Sequence, residues 1–394
     1  MNDSVWTSLQ SRKNVAKDEL IAMGLEHLSR DRMYLEMLRA HRAEKDQGVT
    51  KYFNSRRIIR TLWFLTPELF RRLNTPRIKP ETTEFFLSLV RETAAMRERE
   101  GHRRNDFLQI LLELKNNELL DEKGRPMAGG GGMSWTQMAA HSMVFLAAGF
   151  ESTSTTAAFT IYELAQNGEI LEAARGEIFA VLKKYDGRPT YDALAEMTYL
   201  SLVIEETLRK HPPMRALFRR CTKNYHIPGT KVVVERDTWA FVPILAFHND
   251  ADIFPEPEKF RPERFLPENR TKTQLAAYMP FGDGPKMCLA AFRARPERRA
   301  TLKVQGRGSR ADISSVYPAR LGRARAGGSS PRVRFGMMAV KMALVSFLTR
   351  YDFTLSARTP VPMKYSTTAL SLVADPGVYV DLKPLKGYDL KVEF

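Results

Sequence analysis

The sequence predicts a mainly α-helical fold with a smaller β part, and three observations support this prediction. Residues 135–166 are apolar on nearly all sides of a helix, which is typical of a long helix buried in a large fold. A second helix is predicted at about residues 169–184. Residues 225–234, in contrast, form two short strand-like runs.

The helices before residue 166 are predicted from periodicity and caps. Apolar residues at helical spacing among many charges indicate amphipathic helix near the N-terminus: Leu20, Met23, Leu25, Leu28, Met33, Leu35 and Leu38. A later helix begins after Asn105 or Asp106, and either residue is a plausible N-cap. Ser134 and Gln137 form a capping box that starts the long helix.

The elements after residue 184 are shorter. Thr190 starts a further helical stretch, and residues 203–210 are also helical in pattern. The last part of the chain is predicted as a helix end at residues 344–353 and a β-hairpin at 377–382. His248 is interpreted as structural, because no second histidine stands at the spacing that a metal site needs.

Length and composition are those of a chain with a sizeable core. The chain has 394 residues, of which 43% are hydrophobic. Its two cysteines, Cys221 and Cys288, exclude a disulfide framework and suit a reducing, intracellular compartment. No apolar run approaches the roughly 18 residues that cross a bilayer, and the first residues do not form a signal peptide.

The net charge of +16 comes mainly from one segment. Residues 292–333 hold ten arginines and one lysine against two acidic residues, a net charge of +9. The segment is rich in arginine, glycine, alanine and serine without an amphipathic period, so we predict a disordered insertion. The alternative is an RNA-binding arginine/glycine-rich module, but only Phe292 and Tyr317 are available to stack on bases. No nucleic-acid partner is therefore expected.

Residues 281–290 form a loop with chemistry of its own. Gly282 and Gly284 permit turn geometry that lets the backbone approach a flat, bulky group. Cys288 follows, and backbone N–H groups at the start of the next helix would stabilise its thiolate. An axial haem ligand needs such a thiolate, since its negative charge pushes electron density onto the iron. A cysteine taken alone is more often a small buried hydrophobe.

A polar run interrupts the long apolar helix. Residues 148–153 place a glycine, a carboxylate and two hydroxyls in mid-helix, where a core makes them costly. One interpretation is that the hydroxyls bond back to the preceding turn, as most mid-helix serines and threonines do. The other is that the acid and the alcohols act on a ligand.

Three motifs resemble those of the cytochrome P450 family. Residues 281–290 resemble its haem-binding loop, F-G-x-G-x-R-x-C-x-G, with lysine at 286 and alanine at 290. Residues 148–153 resemble its oxygen-activation segment, A-G-x-(D/E)-T-(T/S), with Ser152 at the usual threonine position. Residues 203–213, E-x-x-R followed by His-Pro-Pro, look like the helix before the substrate-facing loop, here residues 213–217. Residues 367–371 lie where family members bring a β-turn over the substrate.

The resemblance implies a role for each matching residue. Cys288 would be the axial ligand of the haem iron, with Arg219, or its neighbour Arg220, and Lys286 on the propionates. The remaining haem-contacting residues would be Phe281, Gly282, Gly284 and Ala148. The proton-relaying catalytic residues would be Glu151, Ser152 and Thr153. Glu206, Arg209 and Arg264 would form a structural ion cluster that holds the haem loop in place.

The resemblance also divides the chain. Residues 1–62 are helical in pattern and weakly matched, 63–291 match the core, 292–333 are the insertion, and 334–394 match the C-terminal helix and hairpin. Deleting 292–333 restores the family's helix after the cysteine, so we interpret this segment as a retained intron or gene-model error. The fold is expected to be incomplete at the N-terminus, without the membrane anchor and the first sheet and helices of such proteins.

The implied activity is monooxygenation of small apolar compounds, either xenobiotics or lipophilic endogenous molecules. Haem would be the cofactor, O2 the co-substrate and NADPH the electron source, through NADPH–cytochrome P450 reductase and with cytochrome b5 as a second partner. The sequence of residues 277–285 looks most like that of insect microsomal cytochromes P450 that oxidise foreign compounds. These imply peripheral membrane contact at the cytosolic face of the endoplasmic reticulum. The competing hypothesis is a catalytically inactive fragment that binds haem poorly.

Overall fold

The structure is a computed structural model, and it confirms a mainly α fold with a smaller β part. It describes residues 14–15, 80–101, 103, 106–116, 132–288, 335–366, 371–386 and 392. The predicted insertion at 292–333 and nearly all of segment 1–62 lie outside these residues. So do Asn105, Ala290 and most of the predicted β-turn at 367–371. The chain divides into two compact units.

One unit contains α1 (Pro80–Glu100), α2 (Phe107–Lys115) and the first half of α3 (Trp135–Leu164). Asp106 is the N-cap of α2, and its carboxylate accepts a hydrogen bond from the Gln109 N–H at 2.9 Å. Arg97 at the end of α1 donates two hydrogen bonds to the same carboxylate, at 2.8 and 2.6 Å. One side chain therefore caps α2 and ties it to α1. The buried core of this unit consists of Val90, Ala94, Leu108, Leu111, Leu112, Leu114, Met138 and Ala139.

Helix α3 begins with the predicted capping box. The Ser134 N–H donates to the Gln137 side-chain carbonyl at 2.8 Å, and the Gln137 N–H donates to the Ser134 hydroxyl at 3.2 Å. The expectation that the helix is buried along its length holds for residues 154–164 but is wrong for its middle, where residues 147–149 and Ser152 are exposed. The apolar pattern there does not correspond to packing in the described part of the chain.

The second unit is built around α6. It contains the end of α3, then α4 (Gly168–Lys184), α5 (Tyr191–Glu196), α6 (Thr198–Lys210) and, after the undescribed segment, the last helix, α9 (Phe335–Leu348). The interfaces of these helices bury the largest apolar cluster, which includes Ile161, Leu164, Ile178, Leu182, Leu200, Val203, Ile204, Leu344 and Leu348. Such interdigitation is what the helical periodicity predicts.

Two charged side chains fix helix ends within this core. Glu177 on α4 accepts hydrogen bonds from the N–H groups of Tyr199 and Leu200 at 2.7 and 2.8 Å, and so caps α6 from a neighbouring helix. The N-cap position of α6 itself is Met197, which has no side-chain oxygen to offer. Lys341 on α9 donates to the carbonyls of Leu194 and Met197 at 2.7 and 2.8 Å. Its burial lowers the pKa of Lys341 to about 8.

The β part consists of small antiparallel sheets. Strands β2 (Leu217–Arg220) and β5 (Trp239–Val242) form one pair, and β3 (Tyr225–His226) and β4 (Val233–Val234) form another. The third sheet has the order β1, β7, β6, from β1 (Asn14–Val15), β6 (Tyr351–Leu355) and β7 (Val380–Pro384). Short helices α7 (Ile244–His248) and α8 (Lys272–Ala277) connect β5 to the cysteine loop.

Within the part of the chain that the structure describes, none of the helices combines the length and hydropathy that a bilayer crossing requires.

The cap supplied by Glu177 should be measurable in stability. Glu177→Ala removes a carboxylate that accepts from two backbone N–H groups and from the Thr198 hydroxyl at 3.1 Å. We expect a loss of about 2 kcal/mol in the free energy of unfolding, because the first N–H groups of α6 lose their charged acceptor. The matched control is Glu172→Ala on the same helix, where the carboxylate is 59% exposed and pairs with Arg175. This control should cost under about 1 kcal/mol, and an equal loss in both variants would contradict the cap.

Candidate functional site

A fully buried ion pair lies at the centre of the second unit. Glu206 and Arg209 are both 0% exposed on α6, and the guanidinium donates two hydrogen bonds to the carboxylate at 2.8 and 2.9 Å. Their spacing of three residues places them on one helix face. The other guanidinium N–H groups donate to the carbonyls of His248 and Pro257 at 2.8 and 2.7 Å. The charge is therefore satisfied by a carboxylate and by backbone from two distant segments.

Arg264 completes this cluster. Its Nε lies 3.3 Å from the Glu206 carboxylate, which also accepts the Arg261 N–H at 3.0 Å. The rest of the Arg264 guanidinium donates to the carbonyls of Pro255 and Glu256 at 2.5 and 2.6 Å. The structure thus brings together the three residues of the predicted ion cluster. They cross-link α6 to the loop at residues 255–264.

His248 connects the ion cluster on α6 to the segment that precedes the cysteine loop. Its Nδ1 lies 3.2 Å from the Arg209 carbonyl, and its Nε2 accepts a hydrogen bond from the Met279 N–H at 3.1 Å. Tyr278 stacks on the imidazole with ring centroids 5.3 Å apart. Both ring nitrogens contact the backbone, which agrees with the structural interpretation of this histidine. No group of metal-ligating side chains occurs among the described residues.

The cysteine loop is closed by its own backbone. The Cys288 N–H donates to the Phe281 carbonyl at 2.9 Å, and Gly282 and Gly284 have φ angles of 72° and 77°. Only glycine adopts such angles without strain, so both glycines are required by the path of the loop. The loop leaves Cys288 and Lys286 exposed and Phe281 half-buried. The residues that follow Cys288 lie outside the described part of the chain, so the expected N–H donors to its sulfur remain a prediction.

The structure favours Arg219 over Arg220 as the cation of this loop. A Cβ placed on Gly282 would lie 3.4 Å from the Leu217 side chain and 3.9 Å from the Arg219 guanidinium. Leu217 and Arg219 share one face of β2, because side chains alternate along a strand. Arg220 points the other way and forms an ion pair with Asp237 at 3.1 Å. The Arg219 guanidinium therefore lies next to Gly282 of the cysteine loop.

The polar run of α3 lies in the solvent-exposed middle of that helix. Ala148 and Ser152 are four residues apart, so they share one helix face, and both are exposed; Glu151 and Thr153 are half-buried. Back-bonding to the preceding turn occurs just after this run, where the Ser154 and Thr156 hydroxyls donate to the carbonyls of Glu151 and Ser152 at 3.0 and 2.8 Å. For Ser152 and Thr153 themselves, both interpretations stay predictions.

The residues of the loop fit a haem. A sulfur ligand that is exposed at the end of a tight loop suits iron, and an adjacent guanidinium suits a carboxylate. The φ of 72° at Gly282, rather than crowding by Leu217 at 3.4 Å, is what requires glycine at this position. Cys288 would hold the iron, while Arg219 and Lys286 would meet the propionates.

The structure also contains a buried polar cluster that the sequence motifs did not predict. Glu163 on α3, His211 just after α6 and Tyr365 near the C-terminus are joined by hydrogen bonds of 2.6 and 2.9 Å. The sequence signals were a carboxylate near the end of α3 and the histidine of the His-Pro-Pro motif. Its partners are 48 and more residues away in the chain, beyond the reach of local patterns.

Fold and site together define a helical protein that presents a cysteine loop, a neighbouring cation and a buried carboxylate–guanidinium pair. A model of the cytochrome P450 family matches residues 23–302. The chain is 34% identical over 329 residues to "Probable cytochrome P450 6a13" of Drosophila melanogaster, an alignment that covers 84% of this chain and 56% of that protein. The chain belongs to the cytochrome P450 family.

Two further relatives extend the comparison. "Cytochrome P450 6a2" of Drosophila melanogaster is 34% identical over 322 residues, and "Cytochrome P450 6k1" of Blattella germanica is 31% identical over 325 residues. Each alignment covers 80% of this chain and 54% of the relative. The chain therefore spans little more than half the length of the curated relatives that it matches. The expected resemblance to insect members of the family is confirmed.

The burial of His248 predicts a pH dependence of stability. Burial lowers the pKa of His248 from 6.5 to about 4. Between pH 6.5 and 4, His248 is protonated in the unfolded chain but stays neutral in the folded chain. The free energy of unfolding therefore falls as the pH falls through this interval. We expect this residue to contribute a loss of about 3 kcal/mol over that interval, because each pKa unit corresponds to about 1.4 kcal/mol.

The measurement compares the chain with His248→Gln, which does not titrate. The difference in unfolding free energy between the two should be constant from pH 7 to 9 and shrink by about 3 kcal/mol toward pH 4. A difference that is independent of pH would show that His248 is not held neutral by burial.

Proposed function

We propose that this chain is the haem-binding and substrate-binding part of a haem-thiolate monooxygenase that acts on small apolar compounds. The observation that carries the proposal is the Cys288 loop, closed on Phe281 with two left-handed glycines and with Arg219 beside Gly282. Family membership supports it, and the names of the relatives are those of cytochromes P450. Xenobiotics and lipophilic endogenous molecules are the proposed substrates.

Bound haem supplies dioxygen activation: one oxygen atom enters a C–H bond of the substrate, the other leaves as water, and two electrons and two protons are consumed. The chain's own residues bind, orient and deliver protons. The sulfur of Cys288 holds the iron, and Arg219 and Lys286 neutralise the propionates. Phe281, Gly282 and Gly284 shape the loop that presents this sulfur.

The polar run of α3 is proposed to supply protons. Glu151 would take protons from solvent, with which the middle of the helix is in contact, and Ser152 and Thr153 would pass them on by their hydroxyls. Ala148 shares a face with Ser152 one turn away, and its small side chain would leave room for dioxygen beside that hydroxyl. Glu206, Arg209 and Arg264 do not react; they hold the segment that leads to the cysteine loop.

The electrons are proposed to come from NADPH through NADPH–cytochrome P450 reductase, with cytochrome b5 as a second donor. We propose peripheral contact with the cytosolic face of the endoplasmic reticulum, as the resemblance to insect microsomal members implies. The second candidate is a catalytically inactive product that binds haem poorly. It is favoured by the net +9 segment that begins four residues after Cys288.

The carbon-monoxide difference spectrum of the reduced protein separates these candidates. We expect a thiolate-type Soret band from the full chain, because Cys288 is exposed at the end of its loop. Cys288→Ser should lose this band, whereas Cys221→Ser should keep it, since the Cys221 thiol lies elsewhere and donates to the Lys223 carbonyl at 2.9 Å.

A form that lacks residues 292–333 completes this experiment. A band from the shortened form alone would mean that the insertion disrupts the ligand, and would identify the full chain as the inactive product. Absence of the band from both forms would overturn the monooxygenase proposal for this chain.

Ser152 is expected to couple oxygen use to product less tightly than a threonine would. Serine keeps the hydroxyl but lacks the methyl group that restricts χ1, so the proton donor is less well held. Ser152→Thr should lower the hydrogen peroxide released per substrate oxidised by about twofold or more, and Ser152→Ala should raise it. The check is the ratio of peroxide to oxidised product with an apolar test substrate. Equal ratios in all three proteins would contradict a role for this hydroxyl.

A further inference from the structure

A continuous chain of polar side chains joins three segments of the second unit, with Glu163 and His211 buried and Tyr365 half-buried. Glu163 is 2% exposed at the end of α3, and its Oε1 lies 2.6 Å from Nε2 of His211, which is also 2% exposed. Lys210 donates to the other carboxylate oxygen at 3.0 Å. On the far side of the imidazole, Nδ1 lies 2.9 Å from the Tyr365 hydroxyl. Phe159 covers the imidazole in a stacked arrangement, with centroids 4.5 Å apart.

Burial and charge fix the direction of every hydrogen bond in this chain. Burial lowers the pKa of His211 more than the Glu163 carboxylate raises it, so the imidazole is neutral. Burial raises the pKa of Tyr365 to about 12, so its hydroxyl keeps its proton and donates to Nδ1. Burial would raise the pKa of Glu163, but His211 and Lys210 lower it overall. The Nε2–H of His211 therefore donates to a carboxylate, and a single tautomer satisfies all partners.

These residues sit at the bases of two segments that touch each other. Immediately after His211, the carbonyl of Pro213 accepts the Leu372 N–H at 2.8 Å, and Met214 forms an antiparallel bridge with Ser371. Tyr365 and Ala374 form a second bridge in the C-terminal segment 363–374. The polar chain joins the starts of both segments to α3.

We infer that Glu163, His211 and Tyr365 are positioning residues that hold in place a substrate-contacting wall formed by residues 213–217, 363–366 and 371–374. The inference rests on the proposed function and on the family resemblance, which implies that residues 213–217 face the substrate. Without the Tyr365 hydroxyl, Nδ1 of His211 is a buried acceptor without a donor, and the two segments lose their common anchor to α3. The wall then loosens, while the Glu206–Arg209 pair still fixes the path of the chain from residue 248 to the cysteine loop.

The test compares Tyr365→Phe with the wild-type full chain, using two probes that bind haem iron through an imidazole nitrogen. Imidazole is too small to contact the wall, whereas 4-phenylimidazole carries a ring that reaches beyond the iron. We expect the spectral dissociation constant of 4-phenylimidazole to rise about fivefold, the equivalent of one lost hydrogen bond. The spectral dissociation constant of imidazole should change by less than about twofold.

Thr359→Val is the matched control. Thr359 is 5% exposed near the same C-terminal segment, and its hydroxyl donates to the Tyr379 carbonyl and accepts the Tyr379 N–H, both at 2.7 Å. This variant loses hydrogen bonds without touching the polar chain. It should destabilise the protein and leave the ratio of the two dissociation constants unchanged. A shift of that ratio in both variants would reduce Tyr365 to a general stabilising role and overturn the inference.

Amide hydrogen exchange supplies a readout that does not require haem. In Tyr365→Phe, the peptide that contains residues 213–217 should exchange faster, although the substitution lies about 150 residues away in the chain. Thr359→Val should not change it. Unchanged exchange at 213–217 in Tyr365→Phe overturns the inference. Absence of any spectral shift with imidazole in the wild type would overturn the proposed function instead, and the exchange result would still decide the role of Tyr365.

Discussion

The buried pair of Glu206 and Arg209 is the interaction on which the rest of the second unit depends. Two charges that are 0% exposed are stable only when every donor and acceptor is matched. Glu206 accepts from Arg264 and from the Arg261 N–H, and Arg209 donates to the carbonyls of His248 and Pro257. Arg264 in turn donates to the carbonyls of Pro255 and Glu256. Folding α6 correctly therefore requires the chain from 248 to 264 to take one path, and that path leads to the cysteine loop.

Three further charged residues of this unit also serve α6. Glu177 caps the first turn of α6, and Lys341 donates to the carbonyl of Met197 just before that helix. At the other end of α6, Glu163 forms hydrogen bonds with Lys210 and His211. Each charge is satisfied by backbone or by an opposite charge, which makes burial tolerable. Helix α6 is thus fixed at both ends and in the middle. A fixed α6 is what allows His248 and Met279 to place the loop of Cys288.

How much of this could be predicted from sequence depended on chain distance. The caps at Asp106 and Ser134 and the pair at 206 and 209 follow from spacings of three residues, and all three are present. The cap from Glu177 and the chain through Glu163 and Tyr365 could not be predicted, because their partners are set by tertiary packing. The sequence could not show which of Arg219 and Arg220 lies beside the cysteine loop. Side chains alternate along a strand, but only the structure shows which face of β2 is turned toward the loop. The exposure of the middle of α3 was not predicted, because an apolar composition does not reveal which other elements pack against a helix.

The position of the basic segment has different consequences for the fold and for the chemistry. Beyond that segment, α9 packs into the core against α5 and α6, with Lys341 buried at 0% exposure. The entropic cost of closing a loop rises by only about 0.6 kcal/mol for each doubling of the loop length. The fold can therefore accept the insertion. The site of Cys288 is more sensitive to the insertion, because the N–H donors predicted for its thiolate would come from the residues that follow it in the chain. An insertion four residues after the ligand therefore bears on the iron site far more than on the stability of the protein.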